Sequence, residues 1–121
     1  MRPALKVLIV EDEFALRTLL SEVLASEGGF DIIEVGSGDE AIEYLRSDPA
    51  VDCIFSDVKM PGKHDGLALA RYVQSELPNI KMILASGHLH PADRPDRMLF
   101  FSKPYDFMAV ADAIRNSASA G

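Results

Sequence analysis

Four apolar runs in this sequence stop at, or just before, residues able to do chemistry. KVLIVE ends on Glu11, with Asp12 and Glu13 directly behind it; VDCIFSD ends on Asp57; IKMILAS ends on Ser86; and MLFFS runs into Lys103-Pro104. Carboxylates gathered at one rim repel, and two unit charges about 4 Å apart cost roughly 4 kcal/mol at an effective dielectric of about 20. A hard divalent cation offsets that well. Mg²⁺ takes oxygen ligands, commonly one or two carboxylates plus water, and favours sites that phosphate oxygens complete. The Lys103 ammonium would supply a second positive group and the Ser86 hydroxyl a hydrogen-bond donor. A carboxylate nucleophile, a cation site, a lysine and a hydroxyl are the parts phosphoryl transfer uses, because that chemistry is mostly positioning and neutralising charge.

These residues meet only if the runs are neighbouring strands that end on the same edge. Five runs read as strands, at 6–11, 30–35, 51–57, 80–86 and 98–102. Leu16, Leu19, Leu20, Val23 and Leu24 recur at helical spacing between the first two, and Gly28-Gly29 closes that segment. Ser37 three residues before Glu40 is the pattern of a capping box at the start of the next helix, which Asp48-Pro49 ends. Leu67, Ala70, Val73 and Leu77 mark a third helix, stopped by Pro78. Phe107, Val110, Ala111 and Ile114 mark the last, with Pro104 suited to its first turn. Alternating helices and nearly all-apolar strands predict an α/β fold, a doubly wound parallel sheet with helices on both faces. Such sheets bind ligands at the carboxyl ends of their strands, where the strand order reverses. Between Ser86 and Phe100, Pro91 and Pro95 leave no room for a three-turn helix, so the fourth helix is expected to be short or absent.

A chain of 121 residues, 48% hydrophobic, suffices for one core. Residues 1–121 are therefore read as a single domain, with 117–121 (SASAG) as a frayed tail. No apolar run approaches the eighteen residues of a membrane helix. A single cysteine, Cys53 among apolar neighbours, points to a buried thiol and a cytoplasmic location. A net charge of -7 disfavours direct binding to nucleic acid or to an anionic membrane.

Glu11-Asp12, Asp57 followed by Met60-Pro61 and Asp65-Gly66, then Ser86, then Lys103-Pro104, taken in order over essentially the whole chain, resemble the receiver domain of two-component response regulators, of the single-domain type. The resemblance implies a flavodoxin-like (βα)5 fold with strand order 2-1-3-4-5. It makes Asp57 the acceptor of a phosphoryl group from a phosphohistidine on a histidine kinase or phosphotransfer protein. Glu11, Asp12, Asp57 and the backbone carbonyl of Lys59 would hold Mg²⁺, and Lys103 would pair with the phosphoryl oxygens. Ser86 and Phe100 would form the switch that alters a protein-binding face, toward a target the sequence does not name. By the same resemblance the Lys103-Pro104 bond is expected to be cis, and the only catalysis expected is the chain's own phosphorylation and dephosphorylation.

Departures from the family pattern and plainer readings stand beside these assignments. The loop after Asp57 has one residue more between Pro61 and Asp65 than the shortest common form, and the switch aromatic is Phe100 where tyrosine is frequent. Lys59 and His88, each two residues past a site residue, are expected to set how long the phosphoryl group persists. His88 and His90, close in a loop without a third strong ligand, read as surface residues rather than a metal site. Asp12 also reads as a helix N-cap, Ser86 as a turn serine and Lys103 as a solvated lysine. Three other functions remain open: a pseudo-receiver that keeps the fold without being phosphorylated, a receiver excised from a hybrid protein, and an aspartate-nucleophile phosphatase of the haloacid-dehalogenase type. Against the last, that family places an acid two residues after its nucleophile, where Lys59 stands. A flavin carrier is disfavoured because the first loop is acidic where a phosphate cradle needs neutral donors.

Overall fold

The computed structural model describes residues 4–87, 95 and 98–119. Among the described residues nine elements follow one another: β1 (Leu5–Val10), α1 (Phe14–Glu27), β2 (Phe30–Val35), α2 (Gly38–Ser47), β3 (Cys53–Asp57), α3 (Gly66–Glu76), β4 (Lys81–Ser86), β5 (Leu99–Ser102) and α4 (Phe107–Ser119). All four strand pairings are parallel, and the sheet order is β2-β1-β3-β4-β5. The chain thus leaves β1 toward one edge and returns past it to β3. The strand order reverses between β1 and β3, and their carboxyl ends carry Glu11 and Asp57. The expected short or absent fourth helix falls mostly on residues 88–94, 96 and 97, outside those described.

The period-2 alternation of the inner strands divides the core. Leu8, Val10, Ile54, Met82 and Leu84 face one side and pack with Ala41, Ile42 and Leu45 of α2 and Leu69, Ala70 and Val73 of α3. Val7, Ile9, Cys53, Phe55, Ile83 and Ala85 face the other side, against Leu20 and Leu24 of α1 and Val110, Ala111 and Ile114 of α4. Each fully buried Leu, Ile or Val contributes roughly 1.5–3 kcal/mol relative to its exposed state. That makes the central strands a stiff support for whatever stands at their ends.

Several local expectations shift. Leu19, placed on the buried stripe of α1, is half exposed, because Leu20 and Leu24 form the line that enters the core. The N-cap of α1 is Glu13 without a side-chain cap, so Asp12 does not serve that role. Ser37 caps α2 by accepting the Glu40 N–H at 3.1 Å. Glu40 reaches back one residue further than a capping box requires, to the Gly36 N–H at 3.2 Å. Pro104 lies ahead of α4 instead of in its first turn, within a cis Lys103-Pro104 bond. Asp106 opens that helix, its Oδ1 accepting the Met108 N–H at 2.9 Å. α4 continues to Ser119, into the stretch from 117 that the sequence suggested as a tail.

Candidate functional site

The fold brings Glu11, Asp12, Asp57 and Lys103 together. Asp57 is the last residue of β3, a strand buried along its whole length, so its carboxylate sits at the sheet rim on a support with little freedom. The backbone beyond it is tied down at once: the Val58 N–H donates to the Ala85 carbonyl at 3.0 Å, and the Val58 carbonyl accepts the Gly66 N–H at 2.7 Å. The first turn of α3 therefore lies directly on the end of β3. A Cβ on Gly66 would stand 2.2 Å from the Asp57 carbonyl oxygen, which is why the Asp65-Gly66 pair has a glycine there. Asp65 caps the same helix, accepting the Ala68 N–H at 2.9 Å.

Glu11 follows β1 and is buried. Its Oε2 accepts the Glu13 N–H at 3.0 Å, and its carbonyl accepts from Arg17 Nη1 at 2.7 Å. Lys103 reaches across from the end of β5, with Nζ 3.1 Å from Glu11 Oε1 and 3.3 Å from Asp57 Oδ2. Asp12 is exposed, yet Glu11, Asp12 and Asp57 each offer a carboxylate oxygen within 4.8 Å of the others.

Electrostatics follow from this crowding. Burial first, then the charge of Asp57 and a side-chain hydrogen bond with Asp12, push the Glu11 carboxyl above its ordinary range, against the pull of the Glu13 N–H and Lys103. Asp57 is likewise raised, by burial first and by Asp12, with Lys103 opposing. Burial alone would lower Lys103, but its bonds to Glu11 and Asp57 outweigh that and raise it. One ammonium thus does not neutralise three acids. Two buried carboxylates and the solvent-facing Asp12, together short of positive charge, fit a hard divalent cation with oxygen ligands.

Ser86 closes β4 as a buried residue in register with Ser102, and Lys103 N–H donates to its carbonyl at 3.1 Å. Phe100 is partly buried against the α2 and α3 side of the core. Lys59 is exposed two residues beyond Asp57. His88 lies outside the described residues.

Tyr105 belongs to this neighbourhood and was missed in the sequence. Its ring packs edge-on to Phe55 at 5.3 Å and near Phe101 and Phe107. Its hydroxyl is buried without a hydrogen-bond partner among the described residues. Burial, then the charges of Glu11, Asp57 and Glu13, raise its pKa. The available signal was its position, two residues past Lys103. Glu13, Leu16, Lys103, Pro104, Tyr105 and Phe107 line a cavity of about 340 Å³ beside the acids.

Residues 7–115 match the family described as response regulator receiver domain. The chain is 26% identical to the sporulation initiation phosphotransferase F of Bacillus subtilis, over 91% of this chain and 90% of that protein. It is 34% identical to the C4-dicarboxylate transport transcriptional regulatory protein DctD of Rhizobium meliloti, over 98% of this chain but only 25% of that protein. Among solved structures, a response regulator receiver protein from Sinorhizobium medicae superposes with a TM-score of 0.86 at 27% identity, covering 97% of this chain and 96% of that one. The signal receiver domain of a histidine kinase from Syntrophus aciditrophicus gives 0.82 at 30% identity, over 97% and 92%.

Proposed function

The chain belongs to the response regulator receiver family of two-component signalling, and from that premise we propose that it is a phosphorylation-dependent switch whose acceptor is Asp57. The observation that carries this reading is the placement of Lys103 Nζ within 3.3 Å of Asp57 and 3.1 Å of Glu11. A carboxylate held at a strand end beside a fixed ammonium and two further acids suits attack on phosphorus. An Asp57 oxygen forms the new O–P bond as the donor's P–N bond breaks. The electron pair stays on the departing imidazole nitrogen, which takes up a proton. Water later cleaves the acyl phosphate and restores the carboxylate.

Glu11, Asp12 and Asp57, with the Lys59 backbone carbonyl, would hold Mg²⁺, which when bound supplies charge neutralisation for the phosphoryl oxygens. Lys103 would turn from its acids toward those oxygens. Ser86 would donate to one of them, and Phe100 would repack as Ser86 moves, changing the face offered to a target protein. Lys59 and His88 would govern access of water to the acyl phosphate. The phosphodonor would be a histidine kinase or a phosphotransfer protein in the cytoplasm. Among the described residues no helix is long and apolar enough to cross a membrane.

Incubation with acetyl phosphate, followed by intact-mass measurement, tests the proposal. One added phosphoryl group that needs Mg²⁺ and disappears in Asp57→Asn supports it. No adduct with any donor would instead favour a pseudo-receiver. Unchanged decay of the adduct in both Lys59→Ala and His88→Ala would remove those two residues from the account.

A further inference from the structure

The loop that follows Asp57 is gripped from a second element by a residue that the chemistry above does not use. Asp39, in the first turn of α2, accepts the Lys63 N–H on Oδ2 at 3.1 Å and the His64 N–H on Oδ1 at 2.8 Å; Oδ1 also lies 2.6 Å from His64 Nδ1. The Lys63 N–H first, then the His64 ring, hold the Asp39 carboxyl below its ordinary value.

Helix and loop are shaped to each other. A Cβ on Gly38 would stand 2.3 Å from the His64 carbonyl oxygen, and one on Gly62 would stand 2.9 Å from Asp39 Oδ2. Gly62 has φ +104°, which turns the loop toward the carboxylate.

The rest of the loop is anchored at Val58, by its bonds to Ala85 and Gly66, and at the buried Met60. Lys59 is exposed between those two anchors, and Pro61, Gly62 and Lys63 are exposed beyond them, so packing does little to fix the outer half of the loop. Hydrogen bonds donated to Asp39 hold the loop where burial does not.

We propose that Asp39 is a positioning residue for the phosphorylation site. By holding residues 62–64 against α2 it fixes the backbone that carries the Lys59 carbonyl, and so sets both divalent-cation affinity and the persistence of the phosphoryl group. This rests on the receiver reading given above. The carboxylate never contacts the reacting atoms; it acts through the loop.

The test uses the full chain and the variants Asp39→Ala, Asp39→Asn and His64→Ala. Mg²⁺ affinity is read without phosphorylation, by titrating backbone amide shifts near Asp57, with Tm recorded alongside. Phosphoryl half-life is then read from adduct decay at saturating Mg²⁺. Outer contacts of metal ligands typically carry ten- to hundredfold in affinity, and an exposed clamp acting through a backbone carbonyl should fall at or below the low end. Asp39→Ala is therefore expected to weaken Mg²⁺ by about three- to tenfold and to shorten the half-life by about threefold, on the scale of one lost exposed hydrogen bond. His64→Ala keeps both backbone N–H donors and should change each quantity less. If Asp39→Ala does not fold, Asp39→Asn, which retains one carbonyl oxygen, should show the same direction at smaller size. Wild-type Mg²⁺ affinity and half-life in the folded Asp39 variant, whatever its Tm, would overturn the proposal. An effect of His64→Ala equal to that of Asp39→Ala would overturn it too, by placing the clamp in the ring. Failure of the wild type to form any adduct would count against the receiver chemistry, while the Mg²⁺ titration would still decide the role of Asp39.

Discussion

Replacing Asp57 with Asn is expected to stabilise the metal-free protein while abolishing the proposed phosphorylation. Asp57 has two unfavourable partners, Glu11 and Asp12, whose carboxylate oxygens lie within 4.8 Å, each costing about 3.5 kcal/mol at an effective dielectric of about 20. Its favourable partner, Lys103 at 3.3 Å, returns about 5 kcal/mol on the same footing. The charge is therefore unfavourable by about 2 kcal/mol, less the part that solvent removes at the exposed Asp12. Burial adds to the penalty, consistent with the raised pKa of Asp57. Asparagine is nearly isosteric and keeps a hydrogen-bonding oxygen for Lys103. Asp57→Asn should gain about 1–2 kcal/mol, raising Tm by roughly 4–8 °C in a chain of this length. Thermal unfolding followed by circular dichroism, with EDTA and then with Mg²⁺, provides the assay. Mg²⁺ should raise the wild-type Tm by mass action and narrow the gap. A variant that melts below wild type in EDTA would refute this electrostatic reasoning.

Other predictions follow from the same contacts. Gly66→Ala would drive a Cβ to 2.2 Å from the Asp57 carbonyl and should cost roughly 3 kcal/mol or more, read as a lowered urea midpoint. Cys53 is buried and its thiol is pushed up to about 12 by burial; a thiol reagent should leave it untouched in the folded protein and label it at the rate of unfolding. Asp48 is held below its ordinary value, first by its bond to Lys6 and then by the Ala50 N–H. Its stabilisation is present above the unfolded-chain value and lost as pH falls through the lowered folded value. The stability deficit of Asp48→Asn should therefore be seen at neutral pH in urea titrations and close as pH drops below about 3.9.

The site was readable because its residues are placed by strand ends, and strand ends are marked in the sequence where apolar runs stop. Asp57, Glu11 and Lys103 follow such runs, and parallel topology then brings them together. Helix faces were read less well: Leu19 fits the spacing of the α1 stripe, but only the line through Leu20 and Leu24 enters the core. Spacing gives a face to within about one residue, while the depth of the groove decides which member is covered. The Asp39 clamp had no local signal at all, since it joins a helix start to a loop 24 and 25 residues later through backbone N–H groups. Tyr105 was hidden for a related reason: its setting is made by Phe55, far away in the sequence.

The central claim, that Asp57 accepts the phosphoryl group, is tested most directly by trapping the acyl phosphate. After incubation with acetyl phosphate and Mg²⁺, borohydride reduction converts a phosphorylated aspartate to homoserine, and peptide mass mapping locates it. Homoserine is expected at position 57 alone, dependent on both phosphodonor and Mg²⁺. Homoserine at Asp12 or another acid, or at no position in a protein that has gained a phosphoryl mass, would contradict it.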